Sequence, residues 1–223
     1  MTEVEIRNSL ITRLASSPAG ADASFISELF LDNFSRRADL VMANGKLAVF
    51  EIKSSRDTLD RLVGQLETYL LLFEHVTIVC ASKHLAGVEA VAPSGVGIWE
   101  AQDDGSMRIV RRARARSISS KKSWVSFLPV DELRALLRMN EIRAVGTRGE
   151  LVQAIDSVPV KVVRAYVLSY MKRRAQRIHN LQERKKGMLR GPDCADPLSR
   201  MAQYLLNIQQ SAPVAIPRKV AAL

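Results

Sequence analysis

The sequence has 223 residues, of which 47% are hydrophobic, a fraction that is ordinary for a globular protein and argues against wholesale disorder. It carries 33 Lys and Arg against 23 Asp and Glu, and this net charge of +10 predicts a polyanionic partner, with nucleic acid favoured over an anionic membrane. There is no 18-residue apolar run or signal-peptide core, and Cys80 and Cys194 lie far apart. We therefore expect a cytoplasmic protein without a disulfide framework or a thiolate zinc site.

The first two predicted elements are a helix and a strand. Apolar residues recur at helical spacing from Val4 to Leu14, and the segment FISELFLD, which begins at Phe25, is a short apolar run that favours a strand. The small residues, proline and glycine of ASSPAGADAS between them are typical of a loop.

The stretch from Arg36 to Tyr69 predicts a strand, a turn, a second strand and a helix, and the rest of the chain is organised around it. Side chains alternate across a strand, so Glu51 and Lys53 of LAVFEIK share one face, roughly 6–7 Å apart. Two charges at the end of an apolar run are costly to bury unless they are paired or hold a metal. This pair therefore marks a candidate site.

The connection between the two strands decides whether Asp39 can join Glu51. A two-residue turn at Asn44 and Gly45 would send the two carboxylates to opposite faces of the sheet. A three-residue loop that adds Lys46 would pair Asp39 with Glu51, and Gly45 can take the positive φ that such a loop tends to need. We predict an odd-residue connection and converging carboxylates.

The helix that follows is predicted to begin at Asp57 or Thr58, either of which can cap it. Arg61, Gln65 and Tyr69 recur at i, i+4 spacing and form one stripe along it. The adjacent, core-facing stripe is predicted to comprise Leu59, Leu62, Val63, Leu66, Leu70 and Phe73.

Together, Asp39, Glu51 and Lys53 suit phosphodiester hydrolysis. Carboxylates can hold Mg²⁺, for which Mn²⁺ is expected to substitute, while leaving positions for water and phosphate. The metal and a lysine then favour formation of hydroxide and stabilise the charge that builds on the phosphate.

Asp39, Glu51-Ile52-Lys53 and Gln65-x-x-x-Tyr69 resemble motifs II and III of the PD-(D/E)XK nuclease superfamily, and the glutamine and tyrosine resemble its RecB-type exonuclease branch. The run RADL…EIKSSRDTLDRL…Q…Y also resembles a little-studied family of small bacterial proteins in that superfamily. The resemblance covers roughly residues 1–112. It implies a bacterial or phage protein with a restriction-endonuclease-like α/β fold, in which a mixed central sheet is flanked by helices.

The resemblance also implies roles for individual residues. Asp39, Glu51 and Ile52 would be metal ligands. Lys53, Gln65 and Tyr69 would be further catalytic residues, and Arg61 would contact the DNA backbone.

The superfamily often adds an acid upstream of the strand aspartate, and this chain offers two candidates. Glu28 lies in an apolar segment, where a carboxylate is costly to bury unless it has a partner or a functional role. Glu5 lies on the first helix, as in the simpler members of the superfamily. We favour Glu28 and keep Glu5 as the alternative.

Later segments complete the predicted α/β core. VTIVC, which ends at Cys80, is an unbroken apolar run that fits a sheet covered on both faces. Asp104-Gly105 is a tight-turn dipeptide that predicts a hairpin. Residues 111–122 then change abruptly to Arg, Lys and Ser, which predicts a linker or a DNA-facing extension of the strand. The arginines expected to contact phosphate are Arg112, Arg114 and Arg116.

The segment from Leu128 to Ile155 resembles a SAP-type DNA-binding motif, a helix, an extended loop and a second helix, with an ordinary helical hairpin as the alternative. Gly146-Thr147-Arg148 places free amides and an arginine at a helix start, which suits phosphate binding. Residues 161–186 predict a basic helix that could lie on DNA, with Lys172 and Arg173 as contacts, cover the core, or pair with a second subunit. Asp196-Pro197 predicts the start of a last short helix.

These patterns predict five regions: a nuclease-like core (1–112), a basic linker (113–124), a SAP-like module (125–158), a basic helical region (159–210) and a mobile tail (211–223). The predicted function is a Mg²⁺-dependent deoxyribonuclease anchored to DNA by its all-α C-terminal region. The alternative is a DNA-binding protein that keeps the fold without cleaving. DNA is the expected partner and no membrane is expected. The sequence leaves open whether the protein forms a homodimer and whether it has a helicase or other nucleic-acid-processing partner. It also leaves open whether cleavage is endonucleolytic or exonucleolytic.

Overall fold

The computed structural model describes residues 1–18, 20–31 and 36–190, with the backbone alone for 186–190. The chain divides into two compact units, Met1–Arg177 and Ile178–Leu223. The predicted helix at 196–209 and the predicted tail lie outside the described residues. The helices are α1 (Glu3–Ala15), α2 (Leu62–Leu72), α3 (Leu85–Val91), α4 (Lys121–Val125), α5 (Val130–Met139), α6 (Arg148–Ala154) and α7 (Val160–Arg190). The strands are β1 (Ser24–Leu31), β2 (Arg36–Ala43), β3 (Leu47–Lys53), β4 (His75–Ala81), β5 (Gly97–Ala101) and β6 (Met107–Arg111).

The six strands form one mixed sheet in the order β1-β2-β3-β4-β5-β6. The pairs β1–β2, β2–β3 and β5–β6 are antiparallel, whereas β3–β4 and β4–β5 are parallel. The parallel pairs need crossovers, which α2 and α3 provide. The predicted α/β fold, a mixed central sheet flanked by helices and followed by a smaller all-α region, is confirmed.

The two faces of β3 pack against different helices. Ala48, Phe50 and Ile52 form an apolar cluster with residues of α1, including Ile6 and Leu10. Successive side chains of a strand point to opposite faces, so Glu51 points away from α1. It meets α2 there.

The β2–β3 connection has the three-residue form that brings Asp39 beside Glu51. Ala43 pairs with Leu47, so Asn44, Gly45 and Lys46 form the loop. Gly45 has φ 63°, the left-handed conformation that glycine adopts without steric cost. The predicted odd-residue connection is confirmed.

The predicted start of α2 is wrong. The helix begins at Leu62 rather than near Asp57 or Thr58. The Asp57 carboxylate instead accepts hydrogen bonds from the amide and hydroxyl of Ser54, which closes a turn directly after β3. Val63, predicted to face the core, is 51% exposed.

The basic segment after β6 is extended and hydrogen-bonded to the core. The amide of Arg114 donates to the carbonyl of Gly95, and the amide of Arg116 donates to the carbonyl of Glu74.

Within the first unit, the Arg164 guanidinium on α7 donates to the Glu74 carboxylate. In the described part of the chain, every helix is too short or too polar to span a bilayer.

Candidate active site

A pocket of about 330 Å³ lies over the ends of β2 and β3, beside α2. The described residues that line it include four acids and four bases, a combination suited to a metal ion and a phosphate together. The predicted residues Asp39, Glu51, Ile52, Lys53, Arg61 and Gln65 all line it, with Glu3, Phe30, Arg36, Arg37 and Asp57.

Asp39 lies where the pairing of β2 with β3 ends. The last paired residues of the two strands are Leu40 and Phe50. At the next residue of β2, the side-chain carboxylate of Asp39, rather than a backbone carbonyl, accepts a hydrogen bond from β3. Its Oδ2 accepts a 2.7 Å hydrogen bond from the amide of Ile52. This bond fixes Asp39 beside Glu51.

The burial of Asp39 carries an energetic cost. Asp39 is 8% exposed. Burial first, and then the negative charge of Glu51, raise the pKa of Asp39 from 3.8 to about 7. A cation bound between the two carboxylates would offset both effects.

Glu51 is held by three donors. Its Oε1 accepts from Lys53 Nζ at 2.8 Å and from Gln65 Nε2 at 2.5 Å, and its Oε2 accepts from the Tyr69 hydroxyl at 2.6 Å. Lys53 Nζ also donates to Gln65 Oε1 at 2.9 Å. These bonds compensate the burial of Glu51, which is 1% exposed.

Tyr69 belongs to the core as well as to the site. Its ring is fully buried and packs edge-on against Phe73, with ring centroids 5.9 Å apart. Burial, and then the charge of Glu51, raise the pKa of the phenol far above its usual value, so the hydroxyl stays protonated as a donor. The four-residue spacing from Gln65 places both side chains on the face of α2 that meets β3.

The donor set at Asp39, Glu51 and Ile52 fits Mg²⁺. The Ile52 side chain lies in the apolar cluster on the α1 face, so its main chain is what lines the pocket. Among the described residues, no group of three or more His, Cys, Asp or Glu side chains is placed to hold a metal. Mg²⁺ fits two carboxylates and a carbonyl, because it keeps several waters and uses few protein ligands.

The comparisons with known proteins show the family. The sequence model of the family described as Bacteriophage P4 protein cII matches residues 1–190. The chain belongs to the bacteriophage P4 protein cII family. Protein cII of Enterobacteria phage P4 is 35% identical over 200 residues, which cover 82% of this chain and 74% of the phage protein. A solved structure, a protein of unknown function from Silicibacter pomeroyi, is 18% identical with a TM-score of 0.41, covering 60% of this chain and 88% of that one.

In this cII-family chain, the two predicted upstream acids both have other partners. Glu28 has φ 55° and is 44% exposed, and its carboxylate pairs with Arg7 and Arg37, each at 3.2 Å. Glu5 forms the capping box of α1 with Thr2. The structure places neither carboxylate in the lining of the pocket.

Sequence reasoning missed Glu3 and the arginine pair that opens β2. Glu3 lines the pocket from the first turn of α1 and pairs with Arg7 one turn later. Arg36 also lines the pocket. A Cβ atom added at Gly64 of α2 would lie 2.8 Å from Nη2 of Arg36, so the glycine leaves room for the guanidinium. The signal for these arginines was their position in the first two residues of the strand that carries Asp39.

The predicted phosphate cradle at the start of α6 has partners within the chain. The amide and hydroxyl of Thr147 both donate to the Glu150 carboxylate, at 2.7 and 2.8 Å. The guanidinium of Arg148 donates to the carbonyls of Leu128 and Val125. Both residues therefore stabilise the α5–α6 region.

The other predicted DNA contacts lie outside the pocket. Arg112, Arg114 and Arg116 are exposed, and Lys172 is half-buried. Arg173 pairs with Glu132 at 2.8 Å, and its guanidinium lies over the rings of Tyr166 and Tyr170.

Proposed function

We propose that this member of the P4 cII family is a Mg²⁺-dependent deoxyribonuclease. One observation carries the proposal: Asp39 of β2 and Glu51, Ile52 and Lys53 of β3 line a single pocket, with Asp39 beside Glu51 and Lys53. The strand-turn-strand-helix arrangement, completed by Gln65 and Tyr69, supports membership in the PD-(D/E)XK superfamily. The net charge of +10 supports a nucleic acid substrate.

Each residue of the site has a chemical role in this proposal. Asp39, Glu51 and the carbonyl of Ile52 would hold the metal. When bound, Mg²⁺ or Mn²⁺ supplies a Lewis acid for the phosphate and lowers the pKa of the attacking water. The Lys53 ammonium stabilises negative charge on the phosphate, while Gln65 and Tyr69 hold Glu51 in position.

Basic residues around the pocket would bind the rest of the DNA. Arg36, Arg37 and Arg61 line the pocket beside the carboxylates and suit the phosphates that flank the reacting one. The helix-loop-helix of α5 and α6 supports the SAP-like interpretation of this region. DNA binding there, in the cytoplasm, would anchor the enzyme.

The test is incubation of the full chain with labelled single-stranded, duplex and branched DNA in Mg²⁺, Mn²⁺ or EDTA. We expect metal-dependent cleavage that Glu51→Gln and Lys53→Met abolish while DNA binding persists. Glu100→Gln is the matched control, since Glu100 is also a buried strand acid, paired with Arg108 at 2.7 Å. Full activity in a folded Glu51→Gln protein would remove that residue from the mechanism.

A non-cleaving DNA-binding protein is the second candidate, and the surroundings of Glu51 favour it. Lys53, Gln65 and Tyr69 satisfy that carboxylate without a metal. Such a protein would bind DNA equally well in Mg²⁺ and EDTA, and Mg²⁺ would leave its Tm unchanged. A Mg²⁺-dependent rise in Tm that Asp39→Asn removes would favour the nuclease.

A further inference from the structure

A second, larger pocket lies on the face of the sheet opposite Glu51. Its volume is about 510 Å³, within the range of about 300–1,000 Å³ that is typical of small-molecule sites. Ala48 and Phe50 of β3 line it, and they alternate with Glu51 along the strand. α1 contributes Leu14, close to its C-terminal end, so the pocket opens where the cover of this helix stops. We call it the back pocket.

The walls of the back pocket are aromatic and aliphatic. Phe50 and Trp99 meet edge to face, with ring centroids 6.1 Å apart, and Met42 and Ile109 lie beside them. Walls of this kind pack well against a planar ring, because an aromatic ring buries a large apolar area and stacks favourably on other rings.

The charge of the back pocket is positive. Lys46 of the β2–β3 loop and Arg112, directly after β6, both line it and are exposed. Among the described residues that line it there is no acid, in contrast to the four of the candidate active site. The neighbouring Arg111 side chain donates to the carbonyls of Val96 and Ala92 and so anchors the backbone from which Arg112 extends. The rim therefore complements an anion.

His75 lines the back pocket, and its ring carries a buried nitrogen that lacks a partner in the part of the chain that the structure describes. Its Nε2 is buried and makes no hydrogen bond to any described residue. Burial, and then the charge of Lys46, lower the pKa of His75, so the ring is neutral and offers one donor and one acceptor. A buried polar atom without a partner is costly, so a rotation of the His75 ring that brings Nε2 to a ligand heteroatom in the pocket would remove that cost.

We propose that the back pocket binds a nucleotide, with its base against Phe50 and Trp99, a ring heteroatom at His75 and its phosphate at Lys46 and Arg112. The shared chemistry is a planar, hydrogen-bonding ring joined to a phosphate. A free mononucleotide and the terminal nucleotide of a DNA strand both carry it. Binding there needs no metal and does not depend on the proposed nuclease activity.

Fluorescence of Trp99 reports on this pocket directly. The full-length protein in EDTA is titrated with adenosine and guanosine 5′-monophosphate, with adenosine, and with inorganic phosphate. We expect a saturable change with a nucleotide, at least tenfold weaker binding of adenosine, and no change with phosphate alone. Trp99→Phe should remove the signal, because Trp124 is buried elsewhere and bonded to the carbonyl of Ile118.

Rim variants separate specific binding from general attraction of anions. Lys46→Ala combined with Arg112→Ala should raise the Kd for the mononucleotide at least tenfold. The matched control, Lys83→Ala combined with Arg56→Ala, removes two exposed positive charges outside the pocket and should leave Kd unchanged. Glu51→Gln should also leave it unchanged. No saturable signal at millimolar nucleotide, or an equal Kd in the rim variant, would overturn the proposal.

Competition identifies the source of the nucleotide. If a 5′-phosphorylated oligonucleotide displaces the mononucleotide from wild type more effectively than the 5′-hydroxyl form does, the ligand is a strand end. If both forms displace it equally poorly while the mononucleotide binds, the ligand is a free nucleotide.

Discussion

Replacing Asp39 with asparagine should change how the stability of the protein depends on pH. Asparagine is nearly isosteric, and its side-chain carbonyl can still accept the hydrogen bond from the amide of Ile52. Between pH 3.8 and about 7 the folded wild type keeps a proton on Asp39 that the unfolded chain has lost. Its free energy of unfolding therefore falls as pH rises through this window.

The magnitude follows from the pKa of Asp39. A rise from 3.8 to about 7 corresponds to about 4 kcal/mol, since one pKa unit is about 1.4 kcal/mol. Between pH 5 and pH 8 the wild type should lose about 3 kcal/mol relative to Asp39→Asn.

Urea unfolding of both proteins in EDTA at pH 5 and pH 8 measures this difference. Asp103→Asn, a change in an exposed turn, controls for the loss of one negative charge. A difference between wild type and Asp39→Asn that is the same at both pH values would refute the reasoning.

Three further changes test parts of the site. Tyr69→Phe removes a buried donor to Glu51 and should lower the free energy of unfolding by about 1–3 kcal/mol, and by more than Tyr166→Phe, whose hydroxyl is only partly buried. Gly45→Ala should cost about 1–2 kcal/mol in urea unfolding, because its φ of 63° strains an L residue although its Cβ would meet no neighbour. Arg61→Ala should weaken DNA binding and reduce the slope of log K against log[salt] by about one; an unchanged slope would exclude a phosphate contact.

The convergence of Asp39 and Glu51 could be predicted from the sequence because strand periodicity and the turn at Gly45 are local. Side-chain alternation fixed the face of Glu51, and the three-residue loop fixed the register. Gln65 and Tyr69 followed from helical spacing.

The features that were predicted wrongly, or not predicted, depend on competing local hydrogen bonds and on long-range packing. Asp57 was expected to cap α2, but its carboxylate accepts hydrogen bonds from the amide and hydroxyl of Ser54, three residues earlier, and the helix begins only at Leu62. The place of Glu3 in the pocket depends on how α1 packs across the sheet, which no local pattern encodes. Thr147 and Glu150 did carry a local signal, the capping-box spacing, which indicates that Glu150 binds the amide of Thr147.

The most direct test of the nuclease proposal is the cleavage rate of labelled DNA as a function of Mg²⁺ concentration, for wild type and Asp39→Asn. The proposal predicts a rate that rises to saturation with Mg²⁺ in the wild type and is at background in EDTA. Asp39→Asn should stay at background at every Mg²⁺ concentration while still binding the DNA. Cleavage by wild type in EDTA, or by Asp39→Asn at the wild-type rate, would contradict it.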